Sequence, residues 1–256
     1  MKKYVFRFFV LLTGLVLLLS GCSKLHTVTY KDGQYLDKTT EIVYRPASLC
    51  YEAVSIKEGG IAKIKDGLSQ VLYEINGVDP SLMLANEEYE IFYAVGTTLP
   101  TLTEMNPVGI AICKTQSISA QLAAITDAAE LQEILDAYVG GTGCSDRHVN
   151  KAGAVEQYYL KFYSTAYPTL YYCLEYLRFA SDVEISERVE DEENFVPKYT
   201  GATYHFEDYT YTDKDGNECT ERTVVYNFGN GILYDRMAGI CYAVGSDVIE
   251  SYIESK

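Results

Sequence analysis

From residue 42 onward, apolar positions come in short runs, many spaced by two and broken by Gly, Pro, Asn or Asp. That rhythm predicts strands rather than helices. Residues 51–57 and 61–65 flank Glu58-Gly59-Gly60 as a hairpin. Lys65-Asp66-Gly67 turns the chain again, and 68–75 makes a third strand. Asn76-Gly77 begins a turn, where Asp79 is placed to cap a short helical turn with Pro80 at its first position. Residues 89–95 and 108–114 read as strands, joined by a loop holding Pro100 and Pro107. Segment 118–125 is ambiguous, because it alternates like a strand while its alanines favour helix.

The period changes once. Over 127–138, Leu131, Ile134, Leu135 and Tyr138 fall on one helical face. Asp127 stands as N-cap with Glu130 at the third helical position, much like a capping box, and Gly140-Gly141 ends the helix. Strands resume at 157–163 and 169–179, turned by Tyr167-Pro168. Residues 187–193, "ERVEDEE", read as a solvated acidic loop. Strands 204–212 and 219–228 flank "DKDGNE", and 232–234 and 240–244 flank "RMAG". Ser246 is placed to cap a last short helix, 247–254. The expected fold class is α+β, mostly antiparallel β-sheet with one clear helix and a short C-terminal helix.

The first 25 residues follow a different pattern. Lys2, Lys3 and Arg7 precede an apolar run over 8–19 that ends in Leu19-Ser20-Gly21-Cys22. A charged start, a short apolar stretch and small residues at its exit make a secretory signal layout. The run is shorter than the roughly 20 residues a comfortable transmembrane helix needs. Leu19-Ser20-Gly21-Cys22 resembles the lipobox of bacterial lipoproteins. The resemblance covers the N-terminus alone, and implies cleavage before Cys22 and a diacylglyceryl group on its thiol. Two acyl chains anchor stably where one does not. The expected organisation is a signal peptide at 1–21, a polar tether at 22–41 with a short strand at 27–30, and a strand-rich extracytoplasmic domain at 42–256 with a sub-boundary near 140–153. The expected location is the extracytoplasmic face of the cell membrane.

Composition narrows the partners. Loss of residues 1–21 removes three cations and no acid, so the formal charge moves from −15 to −18. Such a chain does not bind nucleic acid by neutralising phosphates, and no basic patch assists its attachment to anionic lipid. The bilayer is a partner through diacylglyceryl-Cys22, and an envelope protein or glycan is the other expected partner. There are 24 Tyr and no Trp. Tyr is a strand former at half-exposed positions, and the alternative is a sticky face for sugar or protein. The most aromatic stretch, 158–179, reads as the central hairpin of a sheet, with a Tyr-lined groove as the alternative.

Candidate chemistry is sparse. Six cysteines follow Cys22: Cys50, Cys113, Cys144, Cys173, Cys219 and Cys241. They show no CxxC pair and no zinc spacing. Export permits disulfides, but spacing does not choose partners among the pairings. In "GCSDRH", Cys144 and His148 could serve as nucleophile and base, and a polar loop explains the same letters. "DKDGNECTERTV" has Asp213, Asp215 and Asn217 where a calcium loop wants ligands, but Glu218 replaces its Gly and Val224 its Glu. A β-turn accounts for it. Carboxylates are too numerous for any pair to be singled out. Apart from Cys22, no catalytic, cofactor-binding or metal residue is assigned, and no cofactor is expected. The expected function is a non-enzymatic binding or interaction module of the cell envelope, and the alternative is a surface hydrolase using carboxylates or the Cys144/His148 loop. An enzyme should present a cleft with convergent polar groups, a binding module a broader aromatic patch.

Overall fold

A computed structural model describes residues 25–65, 69–115, 120–244 and 246–254. The signal segment, Cys22, the 66–67 turn positions, the start of the segment at 118 and the capping side chain of Ser246 lie outside the described residues. The fold is β-rich and broadly α+β, with one seven-stranded barrel, antiparallel sheets and three helices among the described residues. Two compact units divide it. Of the described residues, one comprises those up to Ala47 and those from Ser55 to Thr97, the other Ser48–Val54 and those from Thr98 onward.

In the first unit the strands are β1 (His26–Lys31), β2 (Gln34–Asp37), β3 (Val43–Pro46), β5 (Ala62–Ile64), β6 (Val71–Glu74), β7 (Met83–Ala85) and β8 (Ile91–Ala94). They close as β1-β2-β3-β8-β7-β6-β5. The closing pair, β1 with β5, is parallel. Val28, Tyr44, Ala62, Ile64, Leu72, Leu84, Phe92 and Ala94 fill the interior. The expected tether at 22–41 is corrected here: from His26 to Asp37 it is a barrel hairpin. Asp32 and Gly33 both take positive φ, 52° and 78°, the two-residue turn whose twist suits paired strands.

The second unit is built on one large sheet. Its strands are β4 (Tyr51–Ala53), β9 (Gly109–Cys113), β10 (Gln121–Ile125), β11 (Cys144–Ser145), β12 (Ala154–Tyr163), β13 (Leu170–Phe179), β17 (Gly231–Asp235) and β18 (Ile240–Ala243). The order is β10-β9-β12-β13-β17-β18-β11, with β4 paired to β13. A second sheet runs β14-β16-β15, from β14 (Glu184–Arg188), β15 (Thr203–Thr212) and β16 (Glu218–Asn227). The helices are α1 (Leu102–Met105), α2 (Ala128–Val139) and α3 (Ser246–Glu254). Asp127 accepts from the amides of Ala129 and Glu130, as an N-cap should. Glu130 completes no capping box; its carboxylate accepts from Tyr252 Oη of α3 at 2.6 Å.

Several expectations change. The ambiguous segment is a strand from Gln121 to Ile125. The loop with Pro100 and Pro107 holds α1, whose Thr101 and Glu104 form a reciprocal capping box. The acidic stretch at 187–193 begins inside β14, where Glu187 accepts from Lys198 Nζ at 2.8 Å. The sub-boundary near 140–153 is not where the units divide. The Thr142 amide donates to Thr200 Oγ1 at 3.0 Å, and Cys144 and Ser145 pair with β18, so this polar loop is sewn into the second unit.

Candidate functional site

The hairpin β12–β13 sits at the centre of the large sheet, as expected for 158–179. Alternation divides its residues between two faces. Tyr158, Tyr172 and Tyr176 are buried on the side that carries the helices: Tyr176 Oη donates to Glu250 of α3 at 2.7 Å. Tyr172 Oη lies 2.6 Å from Tyr138 Oη of α2. Tyr138 in turn donates to Asp235 at 2.8 Å, so Tyr172 is the donor to Tyr138. These rings pack the fold and leave no broad aromatic patch on the hairpin.

The opposite face is polar. Register places Tyr159 opposite Glu175 and Glu175 opposite Tyr234, one row across three strands. In the next row Lys161 faces Cys173, and beyond it Tyr171 faces Glu52 of β4. Lys161 and Glu52 form a buried ion pair. Above the Tyr159–Glu175–Tyr234 row runs an open groove of 530 Å³, lined among others by Lys151, Gln157, Tyr159, Glu175, Tyr234 and Arg236. That is within the usual size of ligand sites. Beside it, Cys50, Glu52, Cys173, Glu175 and Asp235 wall a small cavity of 20 Å³, room for about one water.

Charges in and around the groove are engaged unequally. Lys151 Nζ donates to Asp146 at 2.6 Å and to Tyr234 Oη at 2.7 Å. These bonds hold the Asp146 carboxyl below its ordinary range, the lysine contributing most. Asp235, on the helix side of β17 and outside the groove, accepts from Tyr138 and from the amides of Met237 and Ala238. Glu156 accepts from Lys114, Tyr158 and Arg178, which together bring its carboxyl down to about 2. Glu175 differs. It is 8% exposed, and its ion-pair partner, Arg236 Nη1, stands 3.6 Å away. Burial raises its carboxyl above the usual range, and Arg236 offsets that only in part.

Smaller features are settled by geometry. The Asp213 carboxylate accepts from the amides of Asp215 and Asn217 and from Asn217 Nδ2. It closes the β15–β16 turn, where Gly216 takes φ +86°. Among the described residues no cluster of three or more His, Cys, Asp and Glu is arranged for a metal. Cys144 is 1% exposed. His148 follows in a 3-10 turn, Asp146–His148, and Cys144 is the direct register partner of Cys241.

The first unit has its own pocket, 330 Å³ at one mouth of the barrel, lined among others by His26, Asp37, Ile42, Tyr44, Ile61 and Asp79. Tyr44 Oη donates to the Pro80 carbonyl at 2.8 Å, and burial, with the charges of Asp37 and Asp79, pushes its phenol up to about 12. Asp37 is buried, which alone raises its carboxyl. The Thr39 amide, His26 Nδ1 and Thr40 outweigh that and hold it low.

No family model, no curated protein and no solved structure matches this chain. Among the described residues no helix is long and apolar enough to cross a membrane.

Proposed function

We propose that the protein is a membrane-anchored extracytoplasmic lipoprotein, a non-enzymatic binding module of the cell envelope whose ligand is a glycan. Leu19-Ser20-Gly21-Cys22 supports the anchor, with the bilayer as partner through diacylglyceryl-Cys22. The groove supports the binding role. It is concave, mixed in charge and floored by Tyr159, Glu175, Tyr234 and Arg236. Aromatic rings with flanking carboxylates and a guanidinium suit a ligand of hydroxyls and ring faces. The observation that carries the non-enzymatic reading is the pairing of the groove's carboxylates. Glu156 is held by Lys114, Tyr158 and Arg178, so Glu175 has no second free carboxylate beside it among the lining residues.

The anchor is tested with Cys22→Ala. The variant leaves the membrane fraction or stays unprocessed; unchanged attachment and N-terminal mass would refute it. Binding is tested by calorimetric titration of the purified chain with soluble oligosaccharide fragments of the envelope. Saturable heat that disappears in Tyr159→Ser and Arg236→Ala supports the groove. No heat, or heat untouched by both changes, defeats the glycan reading, and saturable binding of an envelope protein instead would reassign the partner.

A second reading has one observation in its favour. A cleft with convergent polar groups is what an enzyme should show, and Glu175, desolvated and weakly paired, is placed to act as a general acid in a carboxylate hydrolase. Release of reducing ends by the wild type and its loss in Glu175→Gln would establish that alternative. The Cys144/His148 branch gains nothing from the geometry, because the Cys144 thiol is buried and turned to Cys241.

A further inference from the structure

Five of the six cysteines that follow Cys22 are buried, and their surroundings differ. Cys113 lies opposite Tyr159 and Gln121. Cys219 has Asp213 at 3.8 Å. Cys50 immediately precedes β4 and Cys173 is on β13, with the Cys173 amide donating to the Cys50 carbonyl at 2.7 Å. The Cys50 sulfur, however, is hydrogen-bonded to Ser48 Oγ at 2.7 Å, and Cys173 lies against Glu52. Cys144 and Cys241 are the two cysteines paired with each other within a strand ladder. They are direct partners in the antiparallel register of β11 and β18, 1% and 0% exposed, in the same apolar cluster.

We propose that Cys144 and Cys241 are a disulfide site, the one cross-strand bridge of this fold, joining the edge strand β11 to β18.

Backbone geometry allows it. The Asp146 amide donates to the Gly239 carbonyl at 2.8 Å, so by the alternation of an antiparallel ladder Cys144–Cys241 is again a bonded pair. Such partners have Cα atoms about 5.5 Å apart, inside the roughly 4.4–6.8 Å that disulfides span. Gly143 fixes the approach: a Cβ there would lie 2.5 Å from the Cys241 carbonyl. β11 has only two residues and stands at the sheet edge, so it can open to admit an oxidant. A second consequence is topological. The bridge would tie the loop after α2 to the last strand of the chain, closing a long loop where a crosslink constrains the unfolded chain most.

The chemistry is thiol–disulfide exchange with an oxidant of the disulfide class. Of the two thiols, Cys144 is the easier to ionise, because the Cys241 thiol donates to it, and the same contact raises Cys241. The Cys144 thiolate attacks one sulfur of the oxidant, forms a mixed disulfide and expels one thiolate. Cys241, deprotonated, then attacks Cys144 Sγ and expels the second. Two protein thiols lose two protons and two electrons, and the oxidant's disulfide becomes two thiols.

The test equilibrates the purified full chain with oxidised and reduced glutathione. It is then unfolded in an alkylating agent, digested and analysed by mass. The expected result is one crosslinked peptide pair holding Cys144 and Cys241, two hydrogens lighter than the reduced peptides. Cys50, Cys113, Cys173 and Cys219 should be alkylated. Reductant should lower the melting temperature of the wild type but not of Cys144→Ser/Cys241→Ser. Cys50→Ser should retain the bridge and the response. Alkylation of both Cys144 and Cys241 at every glutathione ratio, or a crosslink between other cysteines, overturns the proposal.

Discussion

The barrel and the large sheet satisfy their buried polar groups in different ways. In the barrel the buried Asp37 and Asn86 find their partners close in sequence. Asp37 accepts from the amides of Thr39 and Thr40 and from His26, and buried Asn86 accepts from the amides of Glu88 and Glu90. In the sheet several reach far across the chain. Lys161 meets Glu52 across 109 positions, Tyr138 meets Asp235 across 97 and Lys151 meets Tyr234 across 83. A group served by its own loop is satisfied as soon as that loop forms. One served from across the sheet is satisfied only when the whole unit folds. Lys161–Glu52 and Lys151–Tyr234 lie on the polar face and Tyr138–Asp235 on the helix side, so long-range pairs fix both faces of the sheet that carries the groove.

The sharpest way to break this contrast is Lys161→Met. It leaves Glu52 buried without its cation, and removal of one partner of a buried pair costs about 3–5 kcal/mol. Chemical denaturation should show that loss, while Glu52→Leu/Lys161→Met recovers most of it. A single change as mild as a surface substitution would mean that the pair is not buried in solution.

Asp37→Asn comes next. It keeps an acceptor but weakens the bonds to Thr39, Thr40 and His26, for a cost of about 1–3 kcal/mol. The Asp37 pKa is lowered by folding, so its stabilisation is full above the ordinary carboxylate pKa and fades as pH falls through the lowered value. The wild-type advantage should shrink below about pH 4. An advantage that grows on acidification would reverse the assignment.

Glu175→Gln should act with the opposite sign and a smaller size. Folding raises the Glu175 pKa, so the ionised form costs stability near neutral pH, and that cost is absent below the ordinary carboxylate range. Thermal melts should show the variant more stable than wild type at pH 7–8 and equal at about pH 4. The smallest effect belongs to Arg222→Ala. Its bonds to Glu192 and Asp208 are exposed, and their loss should leave the denaturation midpoint nearly unchanged. A clear drop would mean that the β15–β16 hairpin depends on this network.

The same contrast explains what was legible from letters alone. Helix α2 was readable because Asp127, its apolar face and Gly140 all lie within one short segment. The β12–β13 and β15–β16 hairpins were readable from alternation and their turn residues. The first barrel hairpin was missed because β1 fully buries only Val28 and β2 only Asp37, so its composition resembles a tether. The usable signal was Asp32-Gly33 between two alternating runs. The groove was not readable. Glu175 differs from the other 35 acidic residues only through the row of Tyr159 and Tyr234 and the distance to Arg236, and strand register alone creates both.

The groove is tested most directly by mapping amide chemical shifts of the full chain during titration with soluble envelope oligosaccharides. The account predicts saturable shifts gathered around Tyr159, Glu175, Tyr234 and Arg236, lost in Tyr159→Ser, with His26, Tyr44 and Asp79 of the barrel mouth unmoved. Shifts confined to the barrel mouth, or none at saturating glycan, would contradict it.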